Sequence, residues 1–82
     1  MVIDDEIINL IFFDHLLKKL NQTSDMATDG ETGLEKVAQR ILLVNQGKAK
    51  IYELIIIDYN MPQMPGTEVA TRICSLYEEA LI

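Results

Sequence analysis

The sequence predicts an α/β domain organised around a parallel β-sheet. Strand-like apolar segments alternate with amphipathic helical segments in the order β-α-β-α-β-α, a pattern that implies right-handed crossover connections. Leu54–Ile57 is continuously apolar and rich in β-branched residues, as expected of a strand covered on both faces. A carboxylate, Asp58, ends this run, and a loop with two prolines and a glycine follows.

Length and charge limit the class of protein. A chain of 82 residues is long enough for one small hydrophobic core. The formal net charge of -6 at pH 7 argues against nonspecific nucleic-acid binding and against docking on an anionic membrane. No apolar run approaches the ~18 residues that span a bilayer, and no signal-peptide pattern is present. We therefore expect a cytoplasmic domain, which could be part of a membrane-tethered protein.

The first half of the chain predicts a short strand, a helix and a weak second strand. Met1–Ile3 is the apolar strand, and two acids follow it. Glu6–Leu20 carries apolar residues at helical spacings of three and four, and Asp5 is placed to cap its amino end. Thr23–Thr28 is mostly polar, which predicts a weak edge strand.

The second half predicts a helix, the central apolar strand and a last helix. Glu31–Gln46 reads as a helix that ends at Gly47, and Glu53–Asp58 reads as the third strand. The last helix begins near Thr67, and its buried face is marked by Val69, Ile73, Leu76 and Ala80. Cys74, the one cysteine, excludes an intrachain disulfide. We expect it to be a small core residue.

Three acids follow two of the predicted strands: Asp4 and Asp5 after the first, Asp58 after the third. Ligands of parallel sheets lie just beyond the carboxyl ends of the strands, so these side chains are expected to converge. A group of hard oxygens suits Mg²⁺, which would also relieve the repulsion between like charges. One carboxylate could then attack phosphorus. An ordinary Asp-initiated turn after the third strand remains the structural alternative.

Three segments match, in order, the motifs of a known family. Val2–Glu6, Ala27–Glu31 and Leu54–Gly66 together resemble the receiver domain of two-component response regulators and hybrid histidine kinases. The paired acids combined with Asp-x-x-Met-Pro-x-Met-x-Gly make the resemblance fairly specific. It implies a flavodoxin-like sheet of strand order 2-1-3, and residues 1–82 would form a partial receiver domain.

The resemblance also implies a role for each site residue. Asp58 would accept a phosphoryl group from a phosphohistidine on a histidine kinase or phosphotransfer protein. Mg²⁺ would be held directly by Asp5 and Asp58, by the backbone carbonyl of Asn60, and through water by Asp4. The loop after the phosphoacceptor would be shaped by Met61, Pro62 and Gly66. Receiver domains are not classed as stand-alone enzymes.

One departure from the family pattern keeps other functions open. The chain stops before a fourth strand, so it lacks the Ser/Thr and the Lys that the family carries after strands four and five. A non-phosphorylating interaction scaffold is therefore the alternative function. A hydrolase with an Asp nucleophile is disfavoured, because Asn60 stands where such enzymes place a second acid. Ile55–Ile57 would lie on an unpaired edge strand, which invites a homodimer or another partner.

Overall fold

The computed structural model describes residues 1–81, which form three short strands and three helices. In chain order these are β1 (Val2–Ile3), α1 (Ile7–Lys19), β2 (Met26–Ala27), α2 (Gly30–Asn45), β3 (Ile56–Ile57) and α3 (Gly66–Leu81). The order of elements confirms the prediction. Most helix boundaries agree within one residue, which is the usual uncertainty of a helix end.

The three strands form one parallel sheet in the order β2-β1-β3, which confirms the implied strand order. On the central strand, Ile3 pairs with Ala27 on one side and with Ile57 on the other. Two further backbone hydrogen bonds extend this pairing to the acids. The N–H of Asp4 donates to the carbonyl of Ala27 at 3.0 Å, and that of Asp58 donates to Ile3 at 2.8 Å.

The strands are shorter than the sequence predicts. β2 covers two residues instead of Thr23–Thr28, and β3 covers two instead of Glu53–Asp58. Pairing requires a hydrogen-bonded neighbour, and the central strand β1 offers only two residues. The outer strands therefore end where β1 ends.

The core lies between the sheet and the α2–α3 pair. The first crossover runs from β1 to β2, and the second runs in the opposite direction from β2 past β1 to β3. Right-handed connections therefore place α1 on one face of the sheet and α2 on the other. α3 packs against α2. The side chains of Ile3, Val37 and Val69 are completely buried between these layers.

The opposite face of the sheet is covered thinly, because α1 alone lies on it. Leu10 of α1 is buried, but Ile8 and Phe12 are 78% and 60% exposed. Leu54 and Ile56 are 68% and 37% exposed, so the prediction that their segment is covered on both faces is wrong for these two residues. Within residues 1–81, no helix has both the length and the apolar character to cross a bilayer.

Two local predictions are wrong. Asp5 does not cap α1: Glu6 occupies the N-cap position without a side-chain hydrogen bond. The N–H of Glu6 instead donates to Asp4 Oδ1 at 3.0 Å. Cys74 is exposed rather than buried. It follows the buried Ile73 by one residue, and one residue of α-helix turns the side chain by about 100°.

The predicted helix stop at Gly47 is confirmed by its φ of 71°.

Candidate phosphoacceptor and metal site

The carboxyl ends of β1 and β3 bring three carboxylates together. One oxygen from each of Asp4, Asp5 and Asp58 lies within 4.8 Å of the corresponding oxygens of the other two. We refer to these three side chains as the acidic cluster. Their meeting follows from the parallel pairing of β1 with β3, which sets the residues after both strands at one edge of the sheet.

Asp4 is the buried member of the acidic cluster. Its Oδ1 accepts the N–H of Glu6 at 3.0 Å, and its Oδ2 accepts Nδ2 of Asn9 at 3.1 Å. These bonds compensate for the hydration that a buried carboxylate loses. Because both of its oxygens already accept hydrogen bonds, Asp4 is less available for a direct bond to a cation than Asp5, which is exposed.

Asn9 is the site residue that sequence analysis did not single out. It lies in the first turn of α1, where side chains lean back toward the amino end of the helix. This direction lets its amide reach Asp4. The signal in the sequence was its place in the first helical turn after the paired acids, a pattern too common to be noticed without the fold.

Asp58 is half-buried, and its carboxylate begins a turn. Oδ1 accepts the backbone N–H of Asn60 at 3.3 Å, the contact expected of an Asp-initiated turn. The turn and a chemical role are compatible, because the turn uses only one oxygen. Among residues 1–81, no side chain or backbone group donates to Oδ2 of Asp58.

The loop after Asp58 is held by buried contacts at both ends. Met61 is buried and joins the hydrophobic core, whereas Pro62 is exposed. Gly66 is buried, and its N–H donates to the carbonyl of Tyr59 at 3.0 Å. A Cβ atom at position 66 would overlap the backbone carbonyl of Asp58. The absence of a side chain at Gly66 therefore permits the path of this loop.

A cavity of about 300 Å³ adjoins the acidic cluster. It is lined by Asp5, by residues 28–31 before and within the start of α2, and by residues 61–64 after β3. At its rim, Asp29 caps α2, and its Oδ1 accepts the N–H of Thr32 at 2.7 Å. This hydrogen bond holds the pKa of Asp29 below its ordinary value. Asp5 is the member of the acidic cluster that lines this cavity.

The fold and the site define an α/β domain with an acidic site at the carboxyl edge of a parallel sheet. Comparison with known families then identifies it. The response regulator receiver domain matches residues 1–82, and the chain belongs to this family, which acts in signal transduction. No solved structure matches the chain.

Three curated relatives are similar to nearly the whole chain. The response regulator mcs4 of Schizosaccharomyces pombe is 34% identical over 73 residues, which are 89% of this chain and 12% of that protein. Hybrid signal transduction histidine kinase B of Dictyostelium discoideum is 32% identical over 82 residues, or 100% of this chain and 4% of that protein. Stress response regulator protein 1 of Clavispora lusitaniae is 32% identical over 78 residues, or 95% and 37%. The chain therefore spans a small part of each relative.

Proposed function

We propose that the chain is a phosphorelay receiver module that accepts a phosphoryl group on Asp58. The donor is a phosphohistidine on a histidine kinase or a phosphotransfer protein. The observation that supports this proposal is the convergence of Asp4, Asp5 and Asp58 within 4.8 Å at the carboxyl edge of the sheet. Residues 1–82 act as a partial receiver domain in the cytoplasm, alone or within a membrane-tethered hybrid kinase, and not as a stand-alone enzyme.

The donor atoms of the acidic cluster fit Mg²⁺. This cation is usually held by one or two carboxylates, by carbonyl oxygens and by several waters. Asp5 and Asp58 would bind it directly together with the backbone carbonyl of Asn60, and Asp4 would bind through water because its oxygens already accept hydrogen bonds. When bound, Mg²⁺ supplies positive charge that neutralises the oxygens of an incoming phosphoryl group.

Asp58 is the nucleophile of the proposed reaction. Its Oδ1 is held by the N–H of Asn60, so Oδ2 is the oxygen presented to the donor. Oδ2 forms a bond to phosphorus as the phosphorus–nitrogen bond of the phosphohistidine breaks, and the imidazole nitrogen keeps the electron pair. The product is an aspartyl phosphate, a known intermediate of carboxylate nucleophiles. The turn limits the rotation of the attacking carboxylate.

Phosphorylation of the purified chain by acetyl phosphate and Mg²⁺ tests the proposal. Intact-mass measurement should show the gain of one phosphoryl group in the wild type and none in Asp58→Ala. Asp14→Ala is the matched control, because Asp14 is an acid on α1 whose contact is Lys18 rather than the acidic cluster. A gain retained by Asp58→Ala, or absent from the wild type, would contradict the proposal.

A non-phosphorylating scaffold is the second candidate function. The exposed apolar side chains of Ile8, Phe12 and Leu54 favour it, because such a surface is typical of binding sites for other proteins. A Mg²⁺ titration separates the two functions. A receiver module should bind Mg²⁺ in a way that Asp5→Asn weakens, whereas a scaffold should show no response that depends on Asp5.

A further inference from the structure

Gly33 of α2 lies directly against Ile3, the residue that precedes the acidic cluster on β1. A Cβ atom at position 33 would be 2.5 Å from Cδ1 and 3.0 Å from Cγ1 of Ile3. Carbon atoms in contact normally stay about 3.5–4.0 Å apart. Glycine inside a helix is about 1 kcal/mol less favourable than alanine. The close approach of α2 to β1 is the physical reason for a glycine at this position.

Ile3 has little freedom to move away from a larger side chain. Its side chain is completely buried, and its strand is hydrogen-bonded on both sides. The carbonyl of Ile3 accepts the N–H of Asp58 at 2.8 Å, while the next residue, Asp4, donates its N–H to Ala27 at 3.0 Å. Because a completely buried side chain has no open space to rotate into, we expect the overlap to shift the backbone of Ile3, and that shift would pass directly to Asp4 and Asp58.

We propose that Gly33 is a positioning residue for the acidic cluster. It acts through Ile3. Because position 33 has no side chain, α2 packs close enough to β1 to hold Ile3 where Asp4 and Asp5 lie beside Asp58. Gly33 does not touch a bound ion or a phosphoryl group. The inference rests on the proposed function, because it assigns to Gly33 an effect on the Mg²⁺ affinity of that site.

Two measurements on Gly33→Ala test this inference. In a calorimetric titration with MgCl₂, the variant should bind Mg²⁺ about tenfold more weakly than the wild type, as is typical when support behind metal ligands is lost. In metal-free buffer, the backbone N–H groups of Glu6 and Asp58 should exchange with solvent faster, because they donate to Asp4 and Ile3. The second measurement needs no metal.

A compensating substitution distinguishes positioning from general damage. Ile3→Val removes Cδ1, the atom nearest to the added methyl group. Gly33→Ala combined with Ile3→Val should therefore recover the Mg²⁺ affinity of the Ile3→Val single variant. Gly47→Ala is the matched control: position 47 has a φ of 71° with no atom near its Cβ, so the variant loses stability through backbone strain and keeps its Mg²⁺ affinity.

Each other outcome has a defined meaning. Wild-type Mg²⁺ affinity and exchange in Gly33→Ala would overturn the inference. So would a loss that Ile3→Val does not repair, or an equal loss in Gly47→Ala. If the wild type binds no Mg²⁺ at the acidic cluster, the proposed function fails, while the exchange rates of Glu6 and Asp58 still decide whether Gly33 positions these residues.

Discussion

At the scale of single residues, the loop beside the acidic cluster depends on the lack of a side chain at Gly66. At Gly66, the backbone lies so close to the carbonyl of Asp58 that a side chain would overlap main-chain atoms. The overlap at position 66 is with main-chain atoms, so relieving it has to move the backbone of Asp58 itself. The loop that follows Asp58 therefore depends on a residue eight positions later in the sequence.

We predict that Gly66→Ala lowers the free energy of unfolding by about 1–3 kcal/mol, the usual cost of overpacking, and slows phosphorylation of Asp58. Urea unfolding and the rate of labelling by acetyl phosphate measure the two effects. Gly30→Ala is the matched comparison, because a Cβ there meets side-chain atoms of Val69 and Met64. An equal or larger loss in Gly30→Ala would contradict this reasoning.

At the scale of single elements, the two helix starts beside the site are built differently. Asp29 caps α2 through a side-chain hydrogen bond to Thr32. α1 has no side-chain cap, although Asp5 precedes it in a sequence that suggests one. The carboxylate of Asp5 instead joins the acidic cluster, so the same residue type is used for stability at one helix and is available for chemistry at the other.

The difference predicts unequal effects of removing these acids. Asp29→Ala should lower the free energy of unfolding by about 1 kcal/mol, the typical contribution of an N-cap. Asp5→Ala should cause no loss in metal-free buffer, because it removes a charge from a group of like charges and no helix cap. Chemical denaturation with a chelator present measures both, and a loss in Asp5→Ala as large as that in Asp29→Ala would show that Asp5 is a cap.

A polar contact at the amino ends of the strands joins α2 to the segments that precede β2 and β3. Asp25, just before β2, accepts hydrogen bonds from Arg40 of α2 at 3.0 Å and from the hydroxyl of Tyr52. The guanidinium of Arg40 also lies 4.5 Å from the centre of the Tyr52 ring. The hydrogen bond from Tyr52, with that from Arg40, holds the pKa of Asp25 below its ordinary value.

This contact predicts a dependence of stability on pH. A carboxylate whose pKa is lowered by folding contributes stability that is complete above its unfolded pKa and is lost as the pH falls through its folded pKa. Tyr52→Phe removes the main cause of the shift. The difference in free energy of unfolding between the wild type and Tyr52→Phe should therefore narrow as the pH falls below 3.8, the ordinary pKa of Asp25. Urea unfolding over a pH series measures it, and a constant difference would contradict the prediction.

At the scale of the whole molecule, the two faces of the sheet are unequal. α2 and α3 cover one face, and α1 alone lies on the other. The extents of the molecule along its principal axes are 36, 31 and 14 Å. Apolar side chains of α1 and of the segment leading into β3 are exposed on this thinner side. The outer edge of β3 pairs with no strand among the described residues.

We predict that the 82-residue chain associates with a second copy through the edge of β3, since such an edge and the apolar surface beside it favour pairing. Sedimentation velocity should show a dimer that Leu54→Lys weakens. Leu42→Lys is the matched control, because Leu42 is a similarly exposed leucine on α2. A stable monomer at every concentration, or equal effects of both substitutions, would contradict a dimer through this edge.

Much of the fold could be predicted because it depends on local pattern. The alternation of apolar runs and amphipathic segments is visible in the residues themselves, whereas the strand order came from resemblance to a family. Two details within single segments were predicted wrongly. Cys74 was misplaced because the apolar stripe in the middle of α3 is ambiguous by one residue. The predicted cap at Asp5 was wrong because Glu6 occupies the N-cap position and donates its N–H to Asp4.

By itself, the sequence determined the order of the elements and the acids that end two strands, because backbone preference and hydrophobic period act over a few residues. Only the tertiary structure decided that Asp4 is buried and accepts a hydrogen bond from Asn9, that Gly33 lies against Ile3, and that one face of the sheet is thinly covered. These features arise from contacts between segments far apart in the chain, whose distances follow from how strands and helices pack rather than from the residues of any one segment.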